Sequence, residues 1–437
     1  MSLLFWIICC SSLGGILYGY DLGVFSGVIF FIQRDLHLST LQIGVLGGAV
    51  FIGGLIGTMT AGYLSDRFGR KTMIIVGAAL FILGVIGLLF KPNFDHILIA
   101  RVVLGVSVGV VSVATPSYLS EIAPSHIRGR SVTIFQLFLS AGILIAYIVD
   151  TLLSPSGSWR SMYALALVPA GLLLLTMIFL PESPRWFANK GEVDKAFSVL
   201  KKTRPHAEAE LEMAGILESS YNMKSHWRDL FRRKVAFPLT LTLVVAILNQ
   251  LTAINSVLLY APEIFRQSGF YSHRLDMDAS VLVGLINFVA TIIGTCLIDK
   301  LGRRFLLMFG TLGVTCAYLF LSLTIAHHWP FYCSLTGLLV FIFCFAVGPG
   351  SMVWLIMTEL LPNNIRGKGL ALALFANSLT SWGVSTIFLQ LKGDIGLTHT
   401  YLIFAFFTFL YFIVAVKYLP ETKRRSLEQI QDEIARR

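Results

Sequence analysis

Uncharged amide side chains occur inside the long apolar segments of this chain, where they could bind a ligand. They include Gln136, Asn249, Gln250, Asn255, Asn287 and Asn377. An amide donates and accepts hydrogen bonds without carrying a charge, and this suits a neutral ligand with many hydroxyl groups. An amide surrounded by lipid lacks water and must find a partner. These residues therefore indicate a binding site for such a ligand or, as the alternative, hydrogen bonds that join neighbouring helices.

Two ionisable residues also lie inside apolar segments. Asp21 is the only formal charge in the middle of the first segment, and Arg101 is the only one within the fourth. An ionisable side chain within a membrane span predicts a functional site together with its partner. We expect the two to pair, so that the carboxyl group can bind and release a proton. The alternative is a static ion pair that joins the two segments.

The elements that position these side chains must be surrounded mostly by lipid. The chain has 437 residues, of which 56% are hydrophobic and only 13% charged, and its mean hydropathy is +0.77. A soluble domain carries roughly 25% charged residues. This composition excludes a soluble enzyme, a secreted domain and a disordered chain. The six cysteines show no metal-ligand spacing with histidine, so we expect no metal and no cofactor.

Apolar segments long enough to cross a membrane recur along the whole sequence. A helix rises about 1.5 Å per residue, so about 20 apolar residues cross a hydrocarbon core of roughly 30 Å. The uncharged stretch from Phe305 to Thr358 is too long for one span, and His327–Pro330 supplies a break. The predicted spans are 3–33, 40–64, 72–91, 96–119, 129–150, 160–180, 236–265, 279–299, 304–326, 331–357, 368–391 and 399–419. We predict an all-α membrane protein with twelve transmembrane helices.

Lysine and arginine residues are concentrated in alternate loops between these spans. They follow the second, fourth, eighth and tenth spans, and they also populate 182–235 and the tail. Because positive residues stay on the cytoplasmic side, we predict that both termini are cytoplasmic, with the cell (inner) membrane as the location. The net charge of +10 is explained by this loop pattern and does not indicate a nucleic-acid partner.

The segment 182–235 is the one sizeable stretch of soluble character. It is too short and too charged for a large independent core, and we expect short helices that pack under the spans. It contains no nucleotide-binding or catalytic motif, so we expect neither an enzyme nor a nucleotide partner. We predict an N-terminal six-helix bundle (1–181), this cytoplasmic linker (182–235), a C-terminal six-helix bundle (236–419) and a short cytoplasmic tail (420–437).

Charged motifs of the first half recur in the second half at nearly one spacing. Two like halves joined by a linker indicate a transporter whose site lies between repeats. We expect the motifs to close a cytoplasmic gate, with an aspartate that complements the dipole of the next helix. The alternative is that they only anchor loops and set topology. The predicted gate residues are Asp66, Arg70, Glu121, Arg128 and Glu182, repeated as Asp299, Arg303, Glu359, Arg366 and Glu421.

These motifs together resemble those of the sugar porter family of the major facilitator superfamily. The resemblance rests on Gly19–Asp21, Asp66–Lys71, Arg128–Gly129, Pro181–Arg185, Asp299–Arg304 and Pro420–Lys423. It covers nearly the whole chain. It implies two pseudo-symmetric six-helix bundles that transport a monosaccharide by alternating access.

The resemblance also implies roles for single residues. Similarity to sugar porters places sugar contacts at Gln136, Gln250, Asn255, Asn287, Trp354 and Asn377, with Asn249 in place of one glutamine of the family's usual pair. Tyr260 matches the tyrosine that closes over the sugar from outside. The chain departs from the family pattern at Asn249, at Ala253, where a glycine is common, and at Ser378, where a tryptophan is frequent. These departures concern which sugar is bound, not its class.

The resemblance to proton-coupled members assigns Asp21 to the proton and Arg101 to its partner. It therefore implies import of a glucose-like hexose or a pentose together with H+, in contact with membrane lipid. The alternatives are a facilitative sugar uniporter, a major facilitator carrier for another substrate, and a sugar-sensing receptor. The last usually has a long signalling tail, whereas the tail here is short.

Overall fold

Helices make up all regular secondary structure of the described chain. The structure, a computed structural model, describes residues 2–90, 93–124, 127–221, 230, 233–267, 273–362, 365–421 and 423. The all-α prediction is therefore confirmed.

The first half of the chain, as far as it is described, builds six apolar spans. Five consist of one helix each, and the sixth runs from Trp159 to Phe179 through two helices. The helices are α1 (Ser2–Leu36), α2 (Thr40–Phe68), α3 (Arg70–Leu89), α4 (Phe94–Ile122), α5 (Arg128–Leu153), α6 (Trp159–Ala164) and α7 (Leu167–Phe179). Asn93 caps the N-terminus of α4, because its side chain accepts a hydrogen bond from the backbone N–H of His96 at 2.9 Å.

The linker forms the short helices α8 (Pro184–Asn189), α9 (Val193–Thr203) and α10 (His206–Tyr221). Small and apolar side chains from all three pack together, including Ala188, Leu200 and Met213. Ser183 caps α8, since its hydroxyl accepts from the backbone N–H of Trp186 at 3.3 Å. The predicted short helices are thus present in the described part of the linker.

The second half supplies the other spans of the described chain. Its seventh and tenth spans are each interrupted within the apolar segment. Backbone N–H and C=O groups that such a break frees inside a membrane must find hydrogen-bond partners elsewhere in the protein. The helices are α11 (Arg233–Leu251), α12 (Ile254–Leu259), α13 (Ala261–Gln267), α14 (His273–Leu301), α15 (Arg303–Ala326), α16 (Phe331–Phe345), a π-helical stretch (Ala346–Gly350), α17 (Ser351–Leu360) and α18 (Arg366–Lys417).

Helix α18 contains two spans. A straight helix of its 52 residues would be about 78 Å long, far more than a bilayer core. Gly396 interrupts it with a φ of 79° and a ψ of 159°, which glycine adopts without strain. Within the described residues, 11 helical segments are long and apolar enough to cross a membrane, and the division of the last one at Gly396 gives the predicted twelve spans.

The chain folds into two compact units. The first contains Met1–Asp21, Ile52–Gly142 and Tyr163–Ser225, and the second contains Leu22–Phe51, Ile143–Met162 and His226–Arg437. The units therefore divide α1, α2, α5 and α6 and do not follow the sequence repeat. The four segments predicted from the sequence remain a prediction.

Candidate substrate and coupling site

Four polar side chains form a connected cluster inside the second unit. The Gln250 amide N–H donates to Asn377 Oδ1 at 3.1 Å. The Asn255 amide N–H donates to Gln250 Oε1 and to the Ser381 hydroxyl, each at 2.9 Å. Asn377 in turn donates to the backbone carbonyl of Ala246 at 3.0 Å. The structure thus brings together three of the predicted sugar contacts, and each of these amides forms a hydrogen bond with another of the three.

A break between α11 and α12 makes this cluster possible. Ala253 lies there with a φ of 56° and a ψ of 22°, a left-handed conformation that is strained for alanine. The break turns Asn255 toward Gln250, which a continuous helix would place on a different part of its surface. The Tyr318 hydroxyl donates to the freed carbonyl of Thr252 at 2.6 Å, and so satisfies it within the apolar interior.

Three predicted contacts of the second half lie outside this hydrogen-bonded cluster. Asn249 is buried and donates to the carbonyl of Pro349 in the π-helical stretch at 3.5 Å. Asn287 is buried on α14. Trp354 follows the π-helical stretch on α17 and is 40% exposed, and its role in sugar binding stays a prediction.

Tyr260 is fully buried at the junction of α12 and α13. Its hydroxyl donates to the backbone carbonyl of Ser385 at 2.9 Å. Its ring stacks on Phe388, with 5.7 Å between centroids, and meets the edge of Phe25 at 6.5 Å. These contacts, all within the second unit, fix the ring against α1 and α18.

Gln136 lies on α5 in the first unit, where it is half-buried. Its backbone carbonyl accepts a hydrogen bond from Ser140 at 3.3 Å. Its predicted role in sugar binding stays a prediction.

The predicted coupling pair is formed in the first unit. Arg101 Nη1 donates to Asp21 Oδ1 at 2.9 Å, and the two side chains are 0% and 1% exposed. The Tyr163 hydroxyl lies 3.4 Å from the same arginine nitrogen. The second carboxylate oxygen of Asp21 has no hydrogen-bond partner among the described residues. Removal of one partner of such a pair would leave an uncompensated buried charge, at a cost of about 3–5 kcal/mol.

Arg70 is the centre of the first charged motif. It contacts the carboxylates of Asp66 at 2.7 Å and of Glu121 at 3.1 Å. Ser183 also donates its hydroxyl to Glu121. This network joins the end of α2, the start of α3 and the end of α4.

The acid that complements the dipole of α3 is Glu182 and not the expected aspartate. Its carboxylate accepts from the backbone N–H groups of Arg70 at 2.9 Å and Lys71 at 3.0 Å. Asp66 instead lies in the last turn of α2 and pairs with the Arg70 side chain. Gly69, with a φ of 103°, leaves room for the Glu182 carboxylate, which a Cβ at that position would strike.

The second half repeats this arrangement. Glu421 accepts from the backbone N–H groups of Arg303 at 3.1 Å and Arg304 at 3.3 Å, next to Gly302 with a φ of 90°. Arg303 Nε lies 3.7 Å from the Glu359 carboxylate. The repeated residues thus occupy equivalent positions. The side chains of Asp299 and Arg366 lie outside the described residues.

Arg128 pairs with the linker. Its guanidinium contacts Glu212 of α10 at 2.9 Å, and Arg204 contacts the same carboxylate. Arg204 also donates to the carbonyl of Ile122 at the end of α4, at 2.8 Å. Burial lowers the pKa of the Arg204 guanidinium to about 10. These contacts therefore connect the linker to the C-terminal end of α4 and to the N-terminal end of α5.

Glu212, Tyr163 and Ser381 belong to these networks and were not among the predicted site residues. Ser381 could have been found, because it lies four residues after Asn377 on the same helix face. The other two have no such signal, since their partners are distant in sequence.

Comparison with known proteins agrees with these features. The model of the family described as "Sugar (and other) transporter" matches residues 7–434. The chain is 34% identical to the galactose-proton symporter of Escherichia coli strain K12, over 98% of this chain and 94% of that protein. It is 35% identical to the D-xylose transporter of Levilactobacillus brevis, over 96% and 93%.

A solved structure shows the same fold. The chain matches the partially occluded inward open conformation of the xylose transporter XylE from E. coli with a TM-score of 0.87 and 28% identity. The match covers 98% of this chain and 100% of that one. The relatives are membrane transporters and not enzymes, and this chain belongs to the sugar porter family of the major facilitator superfamily.

Proposed function

We propose that this protein imports a monosaccharide, a glucose-like hexose or a pentose, together with H+ by alternating access. The observation that carries the proposal is the cluster of neutral amides at the break between α11 and α12. Similar proteins are named for galactose and xylose, and one of them is named as a proton symporter. The termini and the linker are assigned to the cytoplasmic side of the cell membrane, as the distribution of basic residues predicts.

The amide cluster supports exchange of partners with a sugar. Gln250, Asn255 and Asn377 now satisfy one another. A sugar hydroxyl can both donate and accept, so it can replace each of these contacts without leaving a polar group unpaired in lipid. Gln136, Asn249 and Asn287 are assigned as further amide contacts, and the exposed face of Trp354 as the surface for the apolar side of the sugar ring.

Tyr260 is assigned as the outer closure of this site. Its hydroxyl and ring link the α12–α13 segment to α18 through Ser385 and Phe388. Release of these contacts would free the segment to move and admit a sugar from outside. The sugar itself crosses unchanged, because none of its covalent bonds forms or breaks.

The Asp21–Arg101 pair is assigned to the proton. From the outside, Asp21 takes up H+ and its attraction to Arg101 is lost, which permits the change of conformation after the sugar binds. On the inside, Asp21 releases H+ and the pair forms again. The cytoplasmic networks around Arg70 and Arg303 open to release the sugar and close again on return.

A substitution test addresses the sugar site directly. Purified protein in liposomes should exchange radiolabelled monosaccharide by counterflow, and unlabelled hexoses and pentoses should compete. Gln250→Ala should lower this exchange at least about tenfold, since it removes a predicted sugar contact and one hydrogen bond each from Asn255 and Asn377. The matched control is Gln390→Ala, which removes an exposed amide on α18. Equal exchange by both variants would overturn the assignment of the cluster.

A further inference from the structure

Asp150 is a second carboxyl group buried within a membrane span. It lies three residues before the end of α5, and its side chain is 1% exposed. One carboxylate oxygen accepts from the backbone N–H of Gly27 on α1 at 3.2 Å. The other oxygen has no hydrogen-bond partner among the described residues. Both residues belong to the second compact unit.

No cation among the described residues lies within ion-pair distance of Asp150, in contrast to Asp21. An ionised carboxylate without a counter-ion is very costly in an apolar interior, whereas a protonated one costs far less. One backbone N–H cannot compensate that cost. This packing of α1 against α5 therefore requires a neutral, protonated Asp150.

The contact depends on a glycine. Any Cβ at position 27 would overlap the Asp150 carboxyl group, so only glycine lets the helices approach this closely. Gly23, one turn earlier on α1, packs in the same way on Ile143 and Ala146 of α5. The outer part of α1 thus meets α5 along a strip of small residues that ends at the carboxyl group.

A polar cavity begins beside this contact. It has a volume of about 250 Å³ and is lined by Ser26, the neighbour of Gly27, and by Gln33 and Thr40. Such a cavity is large and polar enough for several water molecules. Gln33 and Thr40 lie at the end of α1 and the start of α2, on the side that the charge distribution predicts to be external, so the cavity brings external water to Ser26, the residue next to Gly27.

Titratable groups also occur near Asp150 on α5 and on the helices that line the cavity. Tyr147, one turn earlier on α5, donates to the carbonyl of Leu258 at 2.7 Å. Asp276 is buried in the cavity wall on α14, two turns before Gly284, which packs against Tyr147. On α1, Arg34 is exposed and paired with Asp35 at 3.1 Å.

The remaining charged residues of the cavity form their own pair. Lys392 of α18 and Glu263 of α13 lie 2.9 Å apart. The positive charge of Lys392 is therefore offset by Glu263. The carboxyl group at the contact between α1 and α5 is that of Asp150.

We propose that Asp150 is a second proton-binding group, whose protonation from the external cavity permits the outer part of α1 to pack on α5. The step is a proton transfer alone: water in the cavity gives H+ to the carboxylate, an O–H bond forms, and the reverse step returns H+ to water. Loss of the proton leaves an unpaired charge and separates the two helices. The proposal rests on the proposed function, because it adds an external pH dependence to sugar transport.

The test uses Asp150→Asn, which has the shape of the protonated acid and cannot titrate. Sugar counterflow in liposomes is measured with equal pH on both sides, from about pH 5 to about pH 9. We expect the counterflow rate of the wild-type protein to change with pH in two steps, one from Asp21 and one from Asp150. The Asp150→Asn variant should lose the step of Asp150 and keep that of Asp21. Asp95→Asn, the same substitution at an exposed site, should keep the wild-type curve.

A second variant protects the test from a folding defect. Gly27→Ala leaves Asp150 intact but places a methyl group against its carboxyl, and it should displace the same pH step. Gly62→Ala, where an added Cβ meets no neighbour, is its control. If both Asp150→Asn and Gly27→Ala keep the wild-type pH curve, the proposal is wrong. If wild-type protein shows no sugar counterflow at any pH, the proposed function fails instead.

Discussion

The coupling proposal depends on two side chains that carry opposite charges inside the membrane. Asp21 and Arg101 are both buried and lie 2.9 Å apart. Their types and positions could be predicted from the sequence, because a formal charge in the middle of an apolar segment is rare and costly. Their pairing is a non-local contact across 80 residues, and the position of Tyr163 beside the arginine could not be predicted.

Replacement of Asp21 separates coupling from transport. Asp21→Asn should abolish accumulation of sugar driven by a pH gradient and retain counterflow, since the amide cannot carry the proton but keeps a polar contact with Arg101. Radiolabelled uptake into liposomes with and without an imposed gradient measures both. Gradient-driven accumulation that persists in the variant would remove Asp21 from the coupling site.

Ala253 carries backbone strain at the break beside the amide cluster. A left-handed conformation costs a residue with a Cβ about 1 kcal/mol or more, and glycine avoids this cost. Ala253→Gly should therefore leave stability unchanged or raise it by up to about 1 kcal/mol, and it should speed exchange by easing movement of α12.

The control for this prediction is an alanine in ordinary helix. Ala317→Gly, in the interior of α15, should lower stability by about 1 kcal/mol or more. Thermal unfolding of the purified variants in detergent compares the two. A loss of stability in Ala253→Gly as large as that in Ala317→Gly would show that no strain is relieved.

At the scale of elements, apolar length predicted the spans better than it predicted their interruptions. The break after α11 has no proline, and the residue in the left-handed conformation is an alanine, so no local signal marks it. The break before α17 contains Gly348, Pro349 and Gly350, and that signal was visible in the sequence. Breaks of the first kind are fixed by tertiary contacts, such as the bond from Tyr318 to the Thr252 carbonyl.

Glutamates cap the N-termini of α3 and α15, and this role explains why the Pro-Glu motif occurs in both halves. Basic residues alone would be enough to set the topology. Glu182 and Glu421 each accept hydrogen bonds from two or more backbone N–H groups at the start of a helix. Both glutamates were predicted as gate residues, whereas the role of complementing the helix dipole was predicted for the aspartates. The pairing was missed because each glutamate lies more than one hundred residues from the helix that it caps.

Removal of one cap tests this role. Glu182→Ala should lower the free energy of unfolding by about 1–2 kcal/mol, because the first N–H groups of α3 lose a charged acceptor. Thermal unfolding in detergent measures the change, with Glu210→Ala at an exposed position of α10 as the control. Equal stability of the two variants would contradict a capping role.

At the scale of the whole molecule, the fold was predictable because lipid imposes length and periodicity on every span. Twelve spans, a repeat and a helical linker follow from apolar segments and repeated charges, and the family comparison agrees with them. The partners of the linker were not predictable. Arg128 and Arg204 share Glu212, and this contact joins elements that no motif connects.

The central claim is that neutral amides bind the sugar while a buried acid carries H+. Simultaneous measurement of sugar and proton flux in liposomes that contain the purified protein tests it most directly. We predict that adding a transported hexose or pentose outside causes H+ to enter with it, and that Asp21→Asn removes the proton flux. Saturable sugar entry without any proton movement, or no sugar entry at all, would contradict the claim.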